Sequence, residues 1–219
     1  MLSESESFIE EVSDEVRRDK LFKLFKKYGW VLALVVIAIV GGTAYNEWNK
    51  SQLETTARLH GDLMQAARAA GDVDALRPLT EGNAPLTVLA QFERANILSV
   101  AGDATGAVQA LREVTLNLEA PAVYTDLAWL KIIMLDGVNM GESERNSAYE
   151  RLTAPNAPYR LLAQEQRAMQ YVRDGDMGAA KAELATLLVD PSITPGLRNR
   201  AQQLMVALGG DFGADSANG

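Results

Sequence analysis

The sequence predicts an all-α chain: one N-terminal transmembrane helix followed by an α-solenoid of paired helices. Three observations predict it. Residues 28–46 hold no charged side chain. Alanine and leucine dominate the chain beyond that stretch, and β-branched runs are scarce outside it, which favours helix over strand. Segments 88–118 and 161–191 superpose at one offset of 73 residues, the mark of internal repetition.

The uncharged stretch comes first. It reads Tyr28, Gly29, Trp30, then VLALVVIAIVGGTAYN. A helix of about 19 residues spans about 28 Å, close to a hydrocarbon core of about 30 Å. An ion at the bilayer centre costs several kcal/mol, so such a run is read as a membrane span. Lys and Arg near its ends set the orientation. Arg17, Arg18, Lys20, Lys23, Lys26 and Lys27 precede it, and only Lys50 and Arg58 lie in the comparable length after it. That asymmetry puts the N-terminus in the cytoplasm and the bulk of the chain on the far side, the periplasm of a Gram-negative bacterium. Tyr28 and Trp30 at one end, with Tyr45 and Trp48 at the other, suit interfacial aromatic belts. Gly42-Thr43-Ala44 imitates a signal-peptide cleavage site. Such signals have a short basic start, whereas this leader is long and acidic before it turns basic.

The chain then divides into four segments: a cytoplasmic amphipathic leader over 1–27, the span over 28–46, a periplasmic repeat domain over 47–208, and a disordered tail over 209–219. In the leader, apolar positions at Phe8, Val12, Val16, Leu21, Leu24 and Phe25 keep helical spacing beyond a polar, disordered start over 1–5. Its second half carries the lysines, as in helices that lie on anionic lipid.

Composition narrows the chemistry. The chain has no cysteine and a single histidine, His60. Zinc–thiolate sites, cysteine nucleophiles and histidine-rich metal sites are therefore excluded. From Glu47 onward, 22 acids stand against 15 bases. A domain so acidic is a poor nucleic-acid binder, because phosphate contact needs clustered Lys and Arg. About 170 residues suffice to bury a core without disulfides.

After the span, a helical pattern continues as a stalk to Ala70-Gly71-Asp72. Gly82-Asn83-Ala84-Pro85, Glu119-Ala120-Pro121, Ala154-Pro155-Asn156-Ala157-Pro158, Asp190-Pro191 and Pro195-Gly196 then punctuate the chain.

The offset aligns Ala95 with Ala168, Leu98 with Tyr171, Gly102 with Gly175, Ala107 with Ala180, Leu111 with Leu184, and Val114 with Leu187. Each feature has a physical reading. A small residue lets two antiparallel helices approach, and a large one a turn later fills the groove beyond it. Gly102 and Gly175 suit a left-handed C-terminal cap. Asp103 and Asp176 then cap the next helix. Ala107 and Ala180 pack back against the first helix, and Leu111 and Leu184 continue that face. This order is the tetratricopeptide helix-turn-helix pattern, whose period is about 34. An irregular unit is expected between the two, with helices over 124–135 (Ala128 in the small position) and 143–152. Val73–Leu79 reads as the second half of an earlier unit paired with the stalk.

With anchor and repeats together, the chain resembles the bacterial single-span inner-membrane proteins with a periplasmic tetratricopeptide-like domain, typified by the ancillary subunit of the Sec translocon. The resemblance rests on FIEEVSDEVRRDKLFKLFKKYG (8–29), on LAQFERANILSVAGDATGAVQALREV (89–114), and on the stretch from APNAPYRLLAQE into DGDMGAAKAELATLLVDPSITPGLRNRAQQL. It implies association with the translocon and with chaperone handling of newly exported proteins, with no catalytic residues. The positions it shares, Ala95, Gly102, Ala107, Ala168, Gly175 and Ala180, are structural.

Enzyme chemistry needs convergent polar groups, and the sequence offers few. Asp72-x-Asp74 and Asp174-x-Asp176 sit at turns, where acids cap helices, and no calcium-loop ladder accompanies them. Glu142 and Glu144 fall in a polar loop and read as solvated. There is no phosphate loop and no serine elbow. The expectation is a binding protein without cofactor. Its candidate partners are the membrane, translocon subunits and periplasmic chaperones. Alternatively it assembles or stabilises another inner-membrane complex, respiratory or cell-division, or associates with itself.

Overall fold

The structure is a computed structural model. It describes the backbone of residues 3–81 and 84–210, and side chains over 30–31, 34–81 and 85–210. Every described element is helical, and no strand occurs among the described residues. In order they are α1 (Ser3–Ala70), a 3-10 helix (Asp74–Leu79), α2 (Ala84–Val100), α3 (Ala104–Leu116), α4 (Ala122–Asp136), α5 (Glu142–Leu152), α6 (Arg160–Arg173), α7 (Met177–Leu188) and α8 (Pro195–Ala207). The chain divides into two units, Met1–Leu59 and His60–Gly219.

The first unit consists of α1 up to Leu59. The helix begins at Ser3, so the expected disordered start is helical from its third residue. Large apolar side chains stand in the open along it: Trp30 and Ile37 are each 65 % exposed, and Leu34, Val36, Ile39 and Val40 are exposed as well. Trp48 is exposed beside Tyr45, their ring centroids 6.4 Å apart. Among the described residues no helix is long and apolar enough to cross a membrane. Tyr28, Gly29, Leu32 and Ala33 of the uncharged run lie outside the described side chains, as do Arg17, Arg18, Lys20, Lys23, Lys26 and Lys27.

In the second unit, helices adjacent in sequence pack on one another, an arrangement compatible with an α-solenoid. Its apolar interior falls into three clusters. The end of α1 (Ala67) packs with Leu76 and Leu79 of the 3-10 helix and with Ala90 and Ile97 of α2. The largest cluster joins α2, α3, α4 and α5 and ends at Ala163 on α6. The third joins Ala168 of α6 with Leu184, Leu187 and Leu188 of α7 and Leu197, Ala201 and Met205 of α8. Fully burying one Leu stabilises by about 1.5–3 kcal/mol, so each cluster is a substantial source of stability.

The second unit differs from the sequence reading at 74–79, at 142–144 and at 209–210. Glu142 and Glu144 open α5 rather than lie in a loop, and Glu144 is partly buried in its pair with Arg112. Residues 74–79 form a six-residue 3-10 helix rather than half of a helix pair. Pro78 sits inside it and donates no hydrogen bond. The Asp72 carboxylate accepts from the backbone N–H of Asp74 and Ala75 at 3.0 and 3.2 Å, which winds the chain tightly from the start. At the other end, Gly209 and Gly210 belong to the cap of α8 rather than to a tail. Gly209 has φ 69°, and the Gly210 N–H donates to the Met205 carbonyl at 3.0 Å. The rest of the expected disordered tail, 211–219, lies outside the described residues.

Candidate functional site

Two turns between helices shape the surface of the stack and share one geometry. Gly102 and Gly175 both have φ 82°, in the left-handed region where glycine carries no steric penalty. One residue on, the Asp103 N–H donates to the Leu98 carbonyl at 2.9 Å, and the Asp176 N–H donates to the Tyr171 carbonyl at 2.8 Å. These are the six-to-one bonds of a Schellman cap. Each Asp carboxylate then accepts a backbone N–H of the next helix, from Gly106 at 2.8 Å and from Ala179 at 2.9 Å. Two turns 73 residues apart in sequence thus share dihedrals, cap and capping acceptor.

The seams of these two hairpins hold the repeat-packing residues. Ala107, Leu111, Ala168, Ala180 and Leu184 are fully buried, and Ala95 nearly so. Leu98 is half-buried against the α2–α5 cluster. Tyr171 is half-buried and lines a cleft instead.

Sequence reasoning misses how the helices are tied across the stack. Each tie pairs an arginine with an acid on another element. Arg68 at the end of α1 donates to Glu93 on α2 (Nε···O 2.6 Å). Arg151 on α5 donates to Asp126 on α4 at 2.6 Å. Arg112 on α3 donates to Glu144 on α5, Arg167 on α6 to Glu183 on α7, and Arg160 on α6 to Asp190 after α7. Arg200 on α8 reaches both carboxylate oxygens of Glu165 on α6 at 2.7 and 2.8 Å. Glu93, Asp126 and Glu165 are buried. Removing one of those arginines would strand a buried charge, which is strongly destabilising. Hydrogen bonding to the carboxylate pushes the Arg68, Arg112 and Arg200 guanidinium groups up from an already high value. Ser192 and Arg160 hydrogen-bond the Asp190 carboxyl and hold it down at about 2.

A cleft of about 340 Å³ lies between α5 and α6. Glu142, Asn146 and Glu150 line it from α5, and Gln170 and Tyr171 from α6. Tyr149 forms part of its wall, and its hydroxyl donates to the Gln166 carbonyl at 3.1 Å. Burial pushes that phenol up to about 12. The lining carries both charge signs, Glu142 and Glu150 with Arg145 and Arg167, beside the Tyr149 and Tyr171 rings. No group of acids or histidines with the spacing of a metal site occurs among the described residues. Comparison with family models, with curated proteins and with solved structures returned no match.

Proposed function

We propose that the chain is a membrane-anchored scaffold whose helical-repeat domain stands in the periplasm and binds protein partners. The partners we propose are Sec translocon subunits and the chaperones that handle exported proteins. One observation carries this reading: a single chain joins an open apolar helix run to a domain of repeated helix hairpins. Apolar surface on the scale of Trp30, Val31, Leu34, Val36, Ile37, Ile39 and Val40 together is covered by lipid or by another helix, because leaving it in water forfeits about 25 cal/mol per Å². Stacked hairpins in turn present extended surfaces that hold other proteins. The six basic residues before the uncharged run support a cytoplasmic N-terminus. The translocon assignment rests on the resemblance of the leader and of the two hairpin segments.

Two experiments test it. Protease added to the cytoplasmic face of sealed vesicles is expected to trim only the first few dozen residues. Digestion of the C-terminal unit would overturn the orientation. Photocrosslinking in native membranes is expected to recover translocon subunits. Recovery of a respiratory or division complex in their place would transfer the scaffold to that complex.

A further inference from the structure

We propose that α5 is a strap clamped by charge, which lifts from the stack when its ion pairs are screened. Three observations support this. The first is burial. α5 lies between α4 and α6 in the chain, yet only Ala148, Tyr149 and Leu152 of its 11 residues are buried. α3 buries five side chains and α7 four, with a cap on each N-terminus that α5 lacks.

The second is the connections. Gly137, after α4, has φ −56°, and no left-handed glycine closes that turn. Loop 153–159 carries Pro155 and Pro158, and Asn156 between them has φ 67°. Neither connection forms the rigid turn seen in the other two hairpins. The cleft of about 340 Å³ separates the polar face of α5 from α6.

The third is the charged contacts of the helix, which add to its three buried side chains and to the Tyr149 hydroxyl bond with the Gln166 carbonyl. Glu144 accepts from Arg112 at 3.2 Å, and Arg151 donates to Asp126 and to the Thr125 hydroxyl at 2.6 and 3.0 Å. Arg145 donates to the Gly137 carbonyl at 3.2 Å. Arg112 and Glu144 are about a third exposed or more, and the Arg151 side chain is half exposed. The Arg112–Glu144 pair weakens as salt rises, whereas the Arg151–Asp126 pair, whose acid is buried, is screened less. Once lifted, an 11-residue helix is too short to persist alone in water. Release therefore shows as melting of its backbone hydrogen bonds and opens the α2–α5 cluster to which its three apolar residues belong.

Hydrogen exchange on the full chain in nonionic detergent tests this, comparing 142–152 with 104–116 and 177–188. At low salt the α5 amides are expected to exchange about tenfold faster than those of α3 and α7. Raising NaCl to about 0.5 M is expected to speed α5 by roughly a further fivefold and leave α3 and α7 unchanged. Equal exchange in all three helices, or a salt effect shared by all three, overturns the proposal. A charge-swapped pair, Arg112→Glu with Glu144→Arg, is expected to keep the salt response. Arg112→Met with Glu144→Met is expected to reduce it. A response unchanged in the Met pair also overturns the proposal.

Discussion

The α2/α3 and α6/α7 hairpins and the α4/α5 pair between them are built from the same materials in different ways. In the two hairpins a left-handed glycine, an aspartate cap and a seam of alanine and leucine act together within about 30 residues of chain. In the middle pair the turn glycine is right-handed, α5 has no side-chain cap, and arginines from α3 and α5 supply the attachment. The outer hairpins are specified locally, by turn, cap and seam, and the α6/α7 seam adds the Arg167–Glu183 pair to its apolar contacts. The middle pair is specified by its neighbours, through the α2–α5 cluster and through the Arg112–Glu144 and Arg151–Asp126 pairs.

The largest expected effect lies in an outer seam. Leu184→Ala removes a fully buried side chain and is expected to cost about 2–5 kcal/mol, read from urea unfolding followed by far-ultraviolet circular dichroism. A loss below about 1 kcal/mol would mean that the α6/α7 seam is no tighter than the middle of the stack. Ala168→Trp overpacks the same seam, where Ala168 is fully buried, and is expected to cost about 1–3 kcal/mol. Gly175→Ala forces a side chain into the left-handed region at φ 82° and is expected to cost about 1–2 kcal/mol. The same change at Gly141, at φ −57° with nothing within 4 Å of an added Cβ, is expected to leave the melting temperature close to unchanged. Equal losses at the two glycines would erase the distinction between the turns. The smallest effect sharpens it. Gly141→Asp gives α5 the cap that α3 and α7 already have and is expected to gain a few tenths of a kcal/mol.

Much of the helical framework is legible because its signals are local. Gly102-Asp103 and Gly175-Asp176 state turn and cap in two adjacent letters, and the alanine and leucine spacing around them names the face that is buried. The 3-10 helix over 74–79 escapes such a reading because its apolar spacing resembles a short α-helix, while Pro78 and the Asp72 turn tighten it. Gly209 escapes it because a glycine-rich ending looks like a tail until its hydrogen bond to α8 is seen. The cross-helix pairs are illegible for a different reason. Arg112 and Glu144 are 32 residues apart, and Arg200 and Glu165 are 35 apart. No periodicity connects an arginine on one helix to an acid on another, because only packing decides which of many such pairs meet. The cleft beside Tyr149 depends on that same packing.

Every cross-helix pair among the described residues has a guanidinium as its cation. Between residues 60 and 210 the only primary amines on side chains are Lys131 and Lys181, and neither takes part in these pairs. Acylating reagents aimed at amines will therefore modify the domain without loosening it, and will find few handles for capturing a neighbour. Guanidinium stays protonated throughout the range in which proteins stay folded, so alkali will not release these attachments. Reagents specific for arginine are the ones expected to loosen the stack.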